Sequence, residues 1–432
     1  MHITVIGGAG LRVPLLVRGL ANSRLPIQEI RLYDTDHARL QLIATVAEHY
    51  SKSIRVRTYA NVEAALQGSS FVVLSIRPGG IEQRARDERI CLEHGVIGQE
   101  TIGAAGLAMA LRAIGPAVAY AQLVQQVVPE AWIINFTNPV SIVTQAVTAA
   151  TSARVIGICD TPSELFAEAA EFLNLVPIEC HFDYFGLNHL GYLREVYYRG
   201  EPQLAHWWRS APDQLLKVYS RPIFSAEQLK SLELLPSEYL YFYVRAHQAL
   251  AHMQQAQTSR GQRLATQNAE LWQALAQPGA DAPQLYEAYL AARDAGYMQL
   301  ETAAARQHHH GRFFQTGYDA IALKVLEGIY FNTNETIVLN VPNRGNISDL
   351  EYDDIVEVPC ILGSNGPLPL HVGALPEAVR DLVLSVKAYE RSAIKAGLGQ
   401  SESIAAEALS QHPLVPSAAL AHKLVKQMGP FW

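Results

Sequence analysis

Along the first 160 residues, short apolar runs alternate with longer stretches in which apolar residues return every three or four positions. The short runs predict strands at residues 2–6, 30–33, 55–59, 71–75, 132–136 and 154–158. The longer stretches predict helices over Val13–Leu20, Ala38–Tyr50, Ala104–Val128 and Val140–Thr148. Strands that are apolar throughout, alternating with helices, indicate a parallel sheet covered on both faces.

After Cys159 the rhythm changes. Helical segments dominate, broken by strand-like runs near Tyr192–Tyr198 and Thr336–Val341. No Pro/Gly/Ser-rich stretch separates the halves, so the linker is short, and no internal repeat is present. Residues Gln277–Pro283 read as a surface loop. The run His308-His309-His310 reads as a solvated loop, because three adjacent side chains cannot all face one ion in regular structure.

Composition narrows the class. A hydrophobic share of 49% against 17% charged residues supports a large core and argues against disorder. A formal charge of -7 with no long basic run argues against nucleic acid or an anionic membrane as partner. No apolar run reads as long enough to span a bilayer. The first six residues lead into a glycine turn rather than a signal peptide. Four scattered cysteines, Cys91, Cys159, Cys180 and Cys360, fit a cytoplasmic protein with reduced thiols.

Gly7, Gly8 and Gly10 stand between the first strand and the first helix. Glycines there allow a tight turn and close approach of backbone to a pyrophosphate. Arg12-Val13 replaces the usual third glycine. Asp34 ends the second strand, where a carboxylate accepts from a ribose 2′-hydroxyl and repels a 2′-phosphate, favouring NAD over NADP. The competing reading of Asp34 is a plain helix N-cap. Ser75, Arg77 and Asn135, at neighbouring strand ends, complete the candidate cofactor contacts. The expected fold is α/β. A Rossmann-type doubly wound parallel sheet occupies residues 1–160 and a mixed α+β domain residues 161–432, an overall plan like lactate and malate dehydrogenases.

Other polar residues stand at strand ends, where open α/β sheets place ligands. Thr137-Asn138-Pro139 can present an amide to a substrate hydroxyl or be a turn. Cys159-Asp160 offers a thiolate and a proton donor, or a buried thiol and a helix cap. In Tyr184-Phe185-Gly186-Leu187-Asn188-His189 the histidine is a ligand or a core residue. Arg77 and Arg84 suit an anion, or pair with Asp87 and Glu88. The run Tyr239–Tyr243 reads as pocket wall, with one tyrosine at its start available as a base.

Together these stretches resemble family 4 of the glycoside hydrolases, the NAD- and divalent-metal-dependent phosphoglycosidases. The resemblance runs through RPGG (77–80), GVIGQET (95–101), INFTNP (134–139), GICD (157–160), YFGLNHLG (184–191), EYLYFY (238–243), VPNRGNI (341–347) and VEVPC (356–360). Leu11–Leu15 and Ser237–Tyr241 are most similar to the 6-phospho-β-glucosidase branch. The resemblance implies that Cys159 and His189 hold a divalent metal, typically manganese, in the second domain. It implies Tyr239 as base and Asp160 as acid. Arg84, Asn138, Asn188 and Arg260 would contact the substrate, the arginines near its 6-phosphate, with Arg263 able to share the role of Arg260.

The implied route is oxidation at C3 by NAD, loss of the C2 proton, elimination at C1, water addition and re-reduction. It is an exception to two-carboxylate glycosidase chemistry. Family resemblance also suggests a homodimer or homotetramer. One residue departs from the pattern: some β-specific members carry Asn after the metal-binding Cys, whereas this chain has Asp160, as α-specific members do. The anomer therefore stays open, and a uronide would also suit the arginines. Two other readings compete. A 2-hydroxyacid dehydrogenase shares Thr137–Val140 but needs an Asp-x-x-Arg that is missing in order, and leaves Cys159 and His189 without work. An NAD-sensing regulator has no need of Cys159, His189 and Tyr239.

Overall fold

The computed structural model describes residues 1–304 and 317–432. The histidine run 308–310 lies outside them. The parallel strands are β1 (His2–Ile6), β2 (Glu29–Tyr33), β3 (Arg55–Tyr59), β4 (Ser69–Leu74), β5 (Trp132–Asn135) and β6 (Arg154–Gly157). Their helices are α1 (Val13–Ala21), α2 (His37–Tyr50), α3 (Val62–Leu66), α4 (Gly80–Glu93), α5 (Gly103–Val127) and α6 (Val140–Ala150), with α7 (Thr161–Leu173) leading onward. The spatial order β6-β5-β4-β1-β2-β3 is that of the doubly wound dinucleotide fold, with its switch point between β1 and β4. Ile3, Val5, Ile30, Leu32, Val72 and Val73 are wholly buried, which is why these strands read as unbroken apolar runs.

The second half adds a smaller sheet and then returns to the first. Strands β7 (Cys180–Leu187), β8 (Leu190–Tyr198), β9 (Glu201–Pro202) and β10 (Leu235–Pro236) form that smaller antiparallel sheet. Strands β11 (Glu335–Pro342), β12 (Ile355–Gly363) and β13 (Gly366–Pro369) join the large one, making nine strands. Asn340 of β11 pairs antiparallel with Gly157 of β6, and β12 pairs along the full length of β11. Residue 160 therefore marks a change of rhythm in the chain, while the large sheet takes strands from both sides of it.

Two expectations are corrected. Helix α5 is long and apolar enough to cross a membrane by composition alone, contrary to the expectation that no such run exists. It is a core helix: 67% of its most apolar window is buried inside the protein. The segment expected as a loop to Pro283 ends earlier, because the helix Ala282–Ala295 starts inside it. Asp281 caps that helix by accepting from the Gln284 N–H, and Pro283 sits in the first turn, where no N–H donor is needed.

Candidate active site

The glycine turn forms as its spacing predicts. Gly7 has φ +94°, and a Cβ there would lie 2.0 Å from the Ser75 carbonyl oxygen, so only glycine lets the ends of β1 and β4 meet. The N–H groups of Gly7 and Gly8 donate to the Tyr33 carbonyl, and that of Gly10 to Gly7. Asp34 is not a helix cap, since Asp36 caps α2. Its carboxylate accepts from the Ala9 and Asp36 N–H groups, each at 3.0 Å, which fixes it beside the turn. Arg12 opens α1 and lies 3.5 Å from Asp160, tying the turn to the end of β6. Ser75 and Arg77 are half-buried at the end of β4.

Asn135 is a correction. It is wholly buried, its amide donating to Thr144 Oγ1 and accepting from the Thr137 N–H. Its side chain braces the following turn and is not available to a cofactor. Thr137 ties that turn to β4, accepting from the Ile76 N–H at 3.0 Å. Asn138 is thereby held at the strand end, with its Oδ1 buried and without a partner among the described residues. A buried acceptor left unpaired is costly, and a ligand hydroxyl would satisfy it.

Cys159 and His189 come together from distant parts of the chain. Cys159 follows β6; His189 sits in the two-residue turn between β7 and β8, with φ +62°. Cys159 Sγ and His189 Nε2 are 3.6 Å apart. A divalent ion with sulfur at about 2.3 Å and nitrogen at about 2.0 Å separates such a pair by roughly 3.5 Å at a tetrahedral angle. The pair fits a metal, and among the described residues no cluster of three His, Cys, Asp or Glu side chains closes a full cage. Coordination positions would remain open, as in catalytic rather than structural sites. Burial holds the His189 ring down at about 4, so it is neutral, as a ligand must be. Burial, with Glu357 and Asp160 nearby, pushes the Cys159 thiol well above its usual range.

Tyr239 stacks face to face on His189, ring centres 3.7 Å apart and planes within 3°. Its hydroxyl lies 3.4 Å from that of Tyr297, whose proton goes to Glu238. Burial, then Glu238, pushes the phenol well up, so proton abstraction by Tyr239 calls for a cation beside it.

Sequence reasoning passed over Glu357. It stands wholly buried on β12 and accepts from Tyr184 Oη (2.7 Å), Asn188 Nδ2 (3.0 Å) and Asn340 Nδ2 (2.9 Å). Tyr184 reaches it across Gly191, where a Cβ would lie 1.8 Å from the hydroxyl. Asn188 is thus oriented from below. The available signal was one charge in an otherwise apolar strand, since such residues are rarely buried unless paired.

The arginines divide. Arg84 pairs with Glu88 and Glu100, each at 2.7 Å, and Glu100 also pairs with Arg77 at 2.7 Å. The expected pairing with Glu88 holds, whereas Asp87 pairs with Arg112 instead. Arg260 is buried, donates to the Arg293 carbonyl and is close enough to Arg84 and Arg293 to be repelled by both. Among the described residues neither Arg260 nor Arg293 has a carboxylate within 4 Å, so both are open to an anionic ligand. Arg293 was not found from the sequence, because its helix carries no marker of the site. Arg263 points elsewhere, to Thr258 and Gln299.

Glu100 yields a prediction. Burial alone would raise its carboxyl; Arg77 and Arg84 outweigh this and bring it down from 4.5 to about 2. A depressed carboxylate stabilises the fold above its unfolded value and loses that contribution as pH falls from about 4.5 toward 2. Glu100→Gln is expected to cost about 3 kcal/mol at pH 7. Urea midpoints at pH 7 and pH 3 check this: the gap between variant and wild type should narrow at the lower pH.

Residues 2–175 match the profile described as family 4 glycosyl hydrolase, and residues 184–415 that of the family 4 glycosyl hydrolase C-terminal domain. The chain belongs to glycosyl hydrolase family 4. Among its relatives is a probable 6-phospho-beta-glucosidase of Bacillus subtilis (strain 168), 29% identical over 99% of this chain and 95% of the relative. A phospho-alpha-glucosidase of Clostridium acetobutylicum is 28% identical over 99% of this chain and 96% of its own. A solved 6-phospho-beta glucosidase from Thermotoga maritima, with NAD and glucose-6-phosphate, superposes with a TM-score of 0.82 at 27% identity, covering 99% of this chain and 97% of that one. A lactate dehydrogenase, with a TM-score of 0.55 at 14% identity, shares the fold alone. The family 4 assignment makes this chain a glycosidase and removes the dehydrogenase and regulator readings.

Proposed function

We propose that this family 4 enzyme hydrolyses 6-phospho-β-glucosides with NAD and a divalent cation, manganese in the first instance. The observation that carries the reading is the Cys159–His189 pair, 3.6 Å apart, with Tyr239 stacked on the histidine. When bound, NAD would take up and return a hydride at C3 while the metal acts as a Lewis acid on the sugar oxygens. Cys159 and His189 would hold that metal, and Gly7, Gly8, Gly10 and Asp34 the dinucleotide. Asn138 Oδ1 would accept from a sugar hydroxyl, and Asn188, held by Glu357, would contact another. Tyr239 would take the C2 proton and Asp160 would protonate the departing C1 oxygen. Arg260, helped by Arg293, would meet the 6-phosphate, with Arg84 behind them. The work is intracellular sugar-phosphate breakdown in the cytoplasm by a homodimer or homotetramer.

The relatives that act on β- and on α-linked substrates are about equally similar, and Asp160 favours a second reading, a 6-phospho-α-glucosidase. Both p-nitrophenyl 6-phosphoglucoside anomers, assayed with NAD and manganese, separate the two. Faster release from the β anomer, lost with chelator and restored by manganese, is expected. Faster release from the α anomer selects the second reading. Release that ignores chelator overturns the metal-dependent route.

A further inference from the structure

The loop Gly95–Ile102 makes two separate sets of contacts. Glu100 pairs with Arg77 and Arg84, while its neighbour Thr101, bound by Gln99, reaches His189. Gln99 Oε1 accepts from three donors, the N–H groups of Thr101 (2.7 Å) and Ile102 (3.1 Å) and the Thr101 hydroxyl (2.7 Å). Two backbone N–H groups converge on that atom, so it is the amide oxygen and not the nitrogen. A carbonyl oxygen cannot donate, and a hydroxyl has one proton. The Thr101 proton is therefore committed to Gln99.

Thr101 Oγ1 also lies 2.8 Å from His189 Nδ1, and all three residues are buried. With its proton committed, the hydroxyl oxygen meets Nδ1 only as an acceptor, so Nδ1 carries the ring proton. A neutral imidazole protonated at Nδ1 has its lone pair on Nε2, the atom 3.6 Å from Cys159 Sγ. The stacked Tyr239 ring pins the imidazole plane.

We propose that Thr101, locked by Gln99, is a positioning residue that keeps His189 in the tautomer whose Nε2 lone pair faces Cys159, presetting the pair for a divalent cation. This rests on the metal-binding reading given above. A hydroxyl free to turn would support either tautomer; the Gln99 carbonyl removes that choice.

Manganese binding to the full-length protein tests it, read from the paramagnetic resonance signal of the free ion without substrate. Thr101→Val keeps the shape and removes the acceptor, and is expected to weaken manganese binding about 10- to 100-fold. Thr101→Ser should bind as wild type does. Gln99→Met, which frees the Thr101 hydroxyl to support either tautomer, should weaken binding less than Thr101→Val does, by at least about twofold, and carries the test if Thr101→Val fails to fold. NAD affinity should move little. Manganese binding unchanged in Thr101→Val, alongside weakened binding in Cys159→Ser, overturns the role of Thr101 and leaves the metal site standing. Unchanged binding in Cys159→Ser removes the metal site itself, and this proposal with it.

Discussion

Cys159→Ser is expected to lower metal-dependent turnover by at least roughly 10³-fold, since Lewis-acid stabilisation supplies several kcal/mol and each 1.36 kcal/mol is a factor of ten. The substitution shortens the side chain's reach and replaces a thiolate with a hydroxyl that ionises far less readily. The glycine turn lies on β1, β2 and α1, whereas Cys159 follows β6, so NAD affinity should stay within about twofold. Steady-state turnover with manganese and a fluorescence titration with NAD separate the two quantities. Equal loss of both would mean that Cys159 is a packing residue and that the route through a metal has to be abandoned.

Tyr239→Phe is the second large effect. The ring face on His189 is kept, so manganese binding should persist, while the proton acceptor is gone. Loss of a general base typically costs roughly 10²–10⁴ in rate, and that range is expected for kcat. Substrate carrying deuterium at C2 provides the specific readout. The wild-type enzyme should release the label to water during turnover, and the variant should slow that release in step with kcat. Label released at the wild-type rate by Tyr239→Phe would leave Tyr239 as a wall of the pocket and require another base.

The six parallel strands could be read from the sequence because burial on both faces makes each an apolar run. The glycine turn could be read because Gly7 and Asp34 occupy positions that backbone geometry restricts. Cys159, His189 and Tyr239 were drawn together by family resemblance. No spacing along the chain would have joined a residue after β6 to a hairpin turn, or that turn to residue 239. Asn135 was misread: a polar residue at a strand end resembles a ligand contact whether it points outward or, as here, braces the next turn. Glu357, Thr101 and Arg293 were missed for a shared reason. Each gains its meaning from a partner far away in the chain, and local pattern is blind to partners. The motifs holding Glu357 and Thr101 were visible as motifs, without any role attached to these residues.

The antiparallel return of β11 and β12 has a consequence for how such a protein is made and reused. During synthesis the dinucleotide half emerges first, yet β6 lacks its neighbour until the chain is three-quarters complete. Until then the Gly157 end of β6, where Asn340 of β11 pairs, is uncovered, and exposed strand ends are surfaces on which chains can join one another by mistake. The carboxylate beneath Asn188 also arrives late, on β12. The nucleotide half is thus not a portable cassette: grafted elsewhere without a substitute for β11, it would leave the Gly157 end of β6 uncovered.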